Sequence, residues 1–340
     1  MSYKKGSNVD TTTFIEGVSR IDNILVSIDC ITYNHEKYIA EAIDSFLMQI
    51  TNFKFEILIH DDASTDRTAD IIREYEKRYP DLIKPIYQVE NQYSKGVSVD
   101  TFNIERPLGK YIAVCEGDDY WTDPYKLQKQ VDYMEMHPEC SLCVHGGNVV
   151  TASEKKLISH NRPNKGNKVF TVAEVIEGGG GLFLTNSMFY RAELDKKRPS
   201  FFEISPVGDY PLVINLSLLG TVFYIDEFMS AYRVGDTESW TMRELSNNED
   251  KIIHTHKIAQ MLDEINQYTN CQYEDAITKK KNRDQLFLLL ALRKFKEAKQ
   301  GELRNIYSKL AFKRKTIIFM DQYWPSISKF LRLTRKKLVG

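Results

Sequence analysis

An α/β fold with a helical C-terminal extension is what the sequence predicts, on three observations. Short apolar runs end in polar or acidic turns, amphipathic helical patterns follow the first two, and the pattern turns wholly helical after about residue 245. The first run, residues 24–31, ends in Thr32-Tyr33-Asn34-His35. The helix after it places Ile39, Ala42, Ile43, Phe46, Leu47 and Ile50 on one face. The second run, residues 55–59, ends in His60-Asp61-Asp62-Ala63-Ser64-Thr65-Asp66-Arg67-Thr68. Ser64 or Thr65 can cap the next helix, Asp66 suits its first turn, and Thr68, Ile72, Tyr75 and Tyr79 form its apolar stripe. Pro85 demotes residues 83–87 to a short or edge strand. The third run, residues 110–115, ends in Glu116-Gly117-Asp118-Asp119.

Later elements are read in the same way. A helix is expected around residues 126–137, a short strand at 142–144, and a mobile loop at Gly178-Gly179-Gly180-Gly181. Val207-Gly208-Asp209-Tyr210-Pro211 precedes an apolar helix over residues 212–219. Beyond it, Leu288, Ala291, Leu292 and Phe295 share one helical face. The chain divides into a polar lead-in (1–21), a first α/β half (22–120), a second half (121–240) and a helical region with a basic end (241–340).

Composition narrows the class. At 340 residues the chain suits one large α/β domain with an appendage. Five cysteines, an odd number, read as reduced core thiols, and Cys140-x-x-Cys143 has no second ligand pair to complete a zinc site. The start lacks an apolar leader core and no stretch is long enough to span a bilayer, so a cytoplasmic protein is expected. Residues 301–340 hold ten Lys and Arg against two acidic residues, a local net of +8, whereas the whole chain carries −1. Interleaved with Phe312, Phe319, Tyr323, Trp324 and Phe330, that charge suits an anionic membrane surface. A packed helical pair with a solvated basic face explains it equally. Nucleic acid is not expected, because no recognised motif accompanies the charge.

Acidic residues at the carboxyl end of a buried strand lie where open α/β sheets bind ligands. Carboxylates crowded there repel one another, and a Mg²⁺ or Mn²⁺ ion carrying a phosphorylated ligand relieves the cost. A solvated acidic turn leading to a helix cap at Asp123-Pro124 explains the third turn alone. It explains three polar turns at one sheet edge poorly.

The segments 26–34 (ending Thr32-Tyr33-Asn34), Asp61-Asp62-Ala63-Ser64-Thr65-Asp66, and Gly109-Lys110-Tyr111-Ile112 running into Asp118-Asp119 resemble the family 2 glycosyltransferases over roughly residues 22–240. The resemblance implies a GT-A fold, a Rossmann-like mixed sheet flanked by helices. It also implies an inverting, metal-dependent transferase moving a sugar from a nucleotide-sugar donor, UDP-linked, to a carbohydrate or lipid-linked acceptor. The setting it implies is bacterial surface polysaccharide assembly, at the cytoplasmic face of the membrane. By the same resemblance Asp62 meets the nucleobase, Tyr33 flanks the base between Thr32 and Asn34, and Asp118 lies near ribose and sugar. Asp119 contacts Mn²⁺ or Mg²⁺, and Asp209 is the catalytic base. Arg67 and Lys95 add charge near the phosphates, while Arg233 pairs with phosphate and Trp240 stacks on a sugar. His145 either lines the acceptor cleft or is a satisfied core histidine.

Two departures stand out. Ala63 replaces the usual Gly, a mild change if its φ is negative, and residues 91–103 lack the family's A-R-N element. Rival classes fare less well. A sugar nucleotidyltransferase would show a Gly-rich, Arg-containing loop where Thr32-Tyr33-Asn34-His35 stands. A glycoside hydrolase needs neither nucleotide nor metal. A non-catalytic carbohydrate- or nucleotide-binding relative would keep the fold and dispense with the base.

Overall fold

The computed structural model describes residues 21–235 and 247–326. Ten strands form one sheet: β1 (Ile21–Thr32), β2 (Phe53–Asp61), β3 (Ile83–Tyr87), β4 (Tyr111–Val114), β5 (Tyr120–Trp121), β6 (Cys140–Thr151), β7 (Leu157–Asn161), β8 (Lys168–Phe170), β9 (Phe189–Arg191) and β10 (Thr221–Val234). Their order is β3-β2-β1-β4-β9-β6-β10-β5, with β7 on β6 and β8 on β10. Strands β3, β2, β1 and β4 run parallel, as do β6 and β10. The short β9 is antiparallel to both β4 and β6 and joins the two groups into one mixed sheet. Strand β3 is the edge strand, where the donor missing from Pro85 costs least.

Alternation along the central strands feeds two cores. Tyr111 and Ala113 of β4 face one layer while Ile112 faces the other, and Cys143 of β6 is divided likewise from Leu142 and Val144. The first layer holds α1 (Ile39–Leu47), α2 (Thr68–Arg78) and α3 (Lys126–Met136). Helix α1 buries Ile39, Ala42, Ile43 and Phe46 and ends before Ile50, which is exposed. Helix α2 buries Thr68, Ile72 and Tyr75, with Tyr79 half-exposed at its C-cap. Its first turn is satisfied by Asp66, whose Oδ1 accepts from the Thr68 N–H at 2.9 Å, and not by Ser64 or Thr65. Those two residues are engaged by the neighbouring turn instead.

The second layer holds α4 (Val172–Gly178), α5 (Phe201–Ile204), α6 (Asp209–Leu219), α7 (Asn248–Tyr268) and α8 (Glu274–Ala291). Ile258, Met261, Leu262 and Ile265 of α7 and Ala276 and Ile277 of α8 share a core with Tyr210, Ile214 and Leu216 of α6. The C-terminal helices therefore continue this layer. Farther along α8 the buried residues are Leu286 and Leu289, which pack with α9 (Leu303–Lys309), rather than the expected Leu288, Ala291, Leu292 and Phe295 face. The helix ends at Ala291 and the chain turns at Arg293, where φ is 61°, so the periodicity does not continue to Phe295. Helix α10 (Phe312–Tyr323) closes the described chain. Among the described residues no helix is long and apolar enough to cross a membrane.

Candidate active site

The turns after β1 and β2 are zipped together by short polar side chains. Asp62 N–H donates to the Thr32 carbonyl at 3.0 Å, and Asn34 N–H donates to Ser64 Oγ at 2.9 Å. In return Asn34 Oδ1 accepts from Thr65 N–H at 2.8 Å. Glu36 N–H donates to Asp66 Oδ2 at 3.0 Å, and Glu36 Oε2 accepts from Arg67 N–H at 3.1 Å. Asn34 has φ 56° and Ala63 has φ 60°, so the mild Gly-to-Ala exchange expected from a negative φ is not what the backbone adopts. Asn tolerates the left-handed region through local hydrogen bonds, whereas Ala pays about 1–2 kcal/mol there.

Asp62 is buried, and its carboxylate accepts from the backbone N–H groups of Gln92 (2.8 Å) and Tyr93 (3.0 Å). The segment in place of the family's A-R-N element is thus fastened to the second turn. Lys95 in that segment forms a surface ion pair with Glu90, and the Arg67 side chain is exposed. Tyr33 is half-buried beside Thr32, which is buried with its Oγ1 unpartnered.

The acidic turn after β4 separates its two aspartates. Asp119 is fully buried, with Oδ1 accepting from Arg233 N–H at 2.9 Å and Oδ2 from Asn186 Nδ2 at 2.8 Å. Burial raises its pKa well above the carboxylate range, with Asp118 and Glu116 adding to the effect. The Asp118 carboxylate is only half-buried and lies 4.0 Å from His35 Nε2. The carboxylate that meets solvent is therefore that of Asp118, whereas the resemblance implied a metal contact at Asp119. A Cβ on Gly117 would stand 2.7 Å from Thr32 Oγ1, so only glycine lets the turn lie this close to the end of β1. Burial pushes the Glu116 pKa to about 8, with Asp118 and Asp209 contributing.

Arg233 stands behind this turn. It is 5% exposed, donates to the Asp118 carbonyl, pairs with Glu41 of α1, and lies 4.4 Å over the Tyr120 ring and 4.9 Å over Tyr38. The guanidinium implied to reach phosphate is occupied in holding the turn. Trp240 lies outside the described residues. His145 is a core histidine: Nδ1 bonds the Gly146 carbonyl oxygen at 2.7 Å, Nε2 is unpartnered, and burial holds the ring well below its usual pKa.

Asp209 is the first residue of α6 and half-buried. Its Oδ1 accepts from Tyr210 N–H at 2.7 Å, leaving Oδ2 for another donor. Burial, with a smaller push from Asp100, raises its pKa to about 6. Asp100 stands beside Gly208 and pairs with Arg198, whose Nε also meets Asp195 at 2.7 Å. Burial also raises the Tyr232 pKa, and the charges of Glu116, Asp119, Asp118 and Asp209 add to the effect.

The glycine loop is packed at its start and open at its tip: Gly179 is buried, whereas Gly180 and Gly181 are exposed and a Cβ on Gly181 would meet nothing within 4 Å. A Cβ on Gly180 would lie 3.5 Å from Tyr210 Cβ and 4.0 Å from Asp209 Oδ1. Arg283 of α8 donates to the Glu177 carbonyl and, at 3.3 Å, to that of Gly178. Lys280, one turn earlier, pairs with Asp284 and presses on Gly179. Arg283 was not singled out by sequence, because its targets are backbone carbonyls about a hundred residues away.

Among the described residues, no group of three or more His, Cys, Asp or Glu side chains is gathered tightly enough to hold a cation unaided. One or two carboxylates do suit a cation whose remaining ligands are phosphate oxygens and water. Asp118, half-buried in a turn of mutually repelling carboxylates, fits that requirement.

A chain of Mycobacterium tuberculosis, called an uncharacterized protein, is 39% identical over 212 residues, which is 61% of this chain and 58% of that one. The glucosyltransferase WfaP of Escherichia coli, described as UDP-Glc:alpha-D-GlcNAc-diphosphoundecaprenol beta-1,3-glucosyltransferase, is 36% identical over 112 residues, 33% of this chain and 41% of that one. Two solved structures share the GT-A fold. S. aureus TarS in complex with UDP has a TM-score of 0.54 at 17% identity, covering 88% of this chain and 81% of that one. The mannosyltransferase PcManGT of Pyrobaculum calidifontis, with GDP-Man and Mn²⁺, has a TM-score of 0.54 at 14% identity, covering 90% and 88%. The family described as Glycosyl transferase family 2 matches residues 27–196, half of the chain, and the chain belongs to that family.

Proposed function

We propose that this protein is an inverting glycosyltransferase that moves a sugar from a nucleotide diphosphate, UDP-linked, to the hydroxyl of a carbohydrate or lipid-linked acceptor. The reading rests on the half-buried Asp118 at the end of β4, beside the zipped turns after β1 and β2, with Asp209 of α6 near enough that both charges act on Glu116. Surface polysaccharide assembly is its setting, supported by the named activity of WfaP.

Asp62 and Tyr33 line the base side of the donor, with Thr32 and Asn34 fixing the turn beneath it. Asp118, rather than Asp119, would hold Mn²⁺ or Mg²⁺ together with the diphosphate. The ion supplies charge neutralisation on the departing diphosphate. Asp119 and Arg233 act as positioning residues, fixing the acidic turn from behind. Asp209 Oδ2 takes the acceptor's proton as its oxygen bonds to the anomeric carbon. The bond from that carbon to the diphosphate oxygen breaks on the opposite face, its electron pair leaving with the nucleotide. Displacement from that side inverts the anomeric centre. With a pKa near 6, Asp209 is ionised at neutral pH yet basic enough to share the proton.

The test is incubation with a panel of UDP-sugars and diphosphopolyprenol-linked glycans, with Mn²⁺ or Mg²⁺, following UDP release and the anomeric configuration of the product by NMR. Metal-dependent transfer with inversion is expected. Retention of configuration, or nucleotide binding with no transfer to any acceptor, contradicts the reading.

A further inference from the structure

The outer face of α10 is built to meet something. Phe312, Thr316, Phe319 and Tyr323 recur at i, i+4, i+7 and i+11, so they line one side of the helix. Phe312 is 86% exposed, and Phe319, Tyr323 and Trp324 are about half exposed. The last three form one aromatic cluster, with Phe319 centred 4.7 Å from Tyr323 and 5.6 Å from Trp324.

The inner face is already fastened. Ile318 is buried, and the Arg314 guanidinium lies 4.2 Å over the Phe287 ring. Arg293 bonds the Asp321 carbonyl at 3.3 Å, and Lys299 bonds Gln322 at 2.7 Å. The aromatic row thus stays outward by construction, not for want of a partner on its own chain's inner side.

Charge says what the row meets. Between Leu303 and Ser326 stand Arg304, Lys309, Lys313, Arg314 and Lys315 against the single acid Asp321. Lys309, at the end of α9, and Lys313, next to Phe312 in α10, are both exposed. The sequence that follows adds Lys329, Arg332, Arg335, Lys336 and Lys337. Aromatic rings with cations around them suit the headgroup layer of an anionic bilayer, where rings enter the interface and each cation gains from the surface potential. A second copy of this chain would bring the same positive field against itself.

We propose that the outer face of α10 docks on an anionic lipid surface, through Phe312, Phe319, Tyr323 and Trp324 with the exposed Lys313 beside Phe312. Phe287, under Arg314 of α10, lies four residues along α8 from Arg283, about 6 Å of helical rise. The docking helix therefore packs on the same helix, α8, that bonds the start of the glycine loop.

The test is co-sedimentation of the full chain with phosphatidylglycerol-containing vesicles and with pure phosphatidylcholine vesicles, at rising salt. Binding to the anionic vesicles alone, weakening with salt, is expected. In Phe312→Ser/Phe319→Ser, partitioning should fall about tenfold or more, consistent with loss of two interfacial rings. Lys313→Glu should weaken it further at low salt. Thermal unfolding of the variants at the wild-type Tm confirms that the helix still folds. Three results overturn the proposal: no vesicle binding, equal binding to neutral vesicles, or anionic binding unchanged in the double variant. Lipid-free self-association abolished by the same double variant would assign the face to a second copy instead. The readout involves no sugar transfer, so this proposal and the catalytic reading can fail separately.

Discussion

The turns at the strand ends, assigned above by proposal to the donor, and the start of α6, assigned by proposal to the acceptor, both carry half-buried carboxylates, yet they are held by different means. On the donor side, residues 32–36 and 61–67 bind each other through Asn34, Ser64, Glu36 and Asp66. Each partner belongs to a motif at the end of an adjacent parallel strand. On the acceptor side, Asp209 depends on distant groups: Asp100 and Arg198 on one flank, Gly180 and the α8 residues Lys280 and Arg283 on the other. The turns after β1 and β2 support each other, whereas the start of α6 takes its rigidity from groups outside its own segment, the C-terminal helices among them. Donor chemistry should therefore survive lesions that disable transfer, and the reverse should be rare.

The largest expected effect is at the base. Asp209→Asn should leave donor binding near normal and lower turnover by roughly 10² to 10⁴. In the wild type, kcat/KM should rise with pH through about 6, because the base works only when ionised and burial has raised its pKa to that value. Steady-state kinetics across pH 5–8 check both. A pH profile unchanged by the substitution would assign the titration to another group.

Asn34→Ala should be next, costing stability of about 1 kcal/mol, since Thr65 N–H loses its acceptor at an exposed site and alanine is less at ease than asparagine at φ 56°. Thermal unfolding and UDP titration should both register it, while acceptor KM stays put. Arg283→Ala should do the opposite, cutting turnover about tenfold, or about 1.4 kcal/mol, with UDP affinity preserved. Loss of nucleotide affinity in that variant would erase the distinction between the two sides.

Legibility followed the same divide. The turns after β1, β2 and β4 were readable because each is a contiguous run of polar residues at the end of an apolar strand. Which aspartate of the third turn faces solvent was not readable. Asp118 and Asp119 are neighbours, and only Asn186 and the Arg233 backbone, far along the chain, decide that Asp119 points inward. Arg233 itself looked like a phosphate ligand because its partner Glu41 lies 192 residues away. The segment 91–103 and the α8 clamp were illegible for physical reasons. Their attachments run to backbone groups, as at Gln92, Tyr93 and Glu177, or to side chains far off in sequence, as from Asn103 to Asp29 and from Phe102 to His60.

Ala63 gives the smallest prediction. At φ 60° the residue sits where glycine is at ease, so Ala63→Gly should stabilise the donor-side turn by up to about 1 kcal/mol, less the entropy cost of glycine in the unfolded chain. Chemical denaturation measures it. Destabilisation beyond that range would mean the Ala63 methyl makes a packing contribution larger than its strain.

Calorimetric titration of UDP with and without Mn²⁺, in wild type and Asp118→Asn, tests the donor assignment most directly. Mn²⁺ should tighten UDP binding to the wild type by about tenfold or more, as for a cation shared between carboxylate and diphosphate. No metal effect is expected in Asp118→Asn, whose Tm should stay at the wild-type value because that carboxylate is half-exposed. A metal effect that persists in Asp118→Asn, or one absent from the wild type, would contradict that assignment.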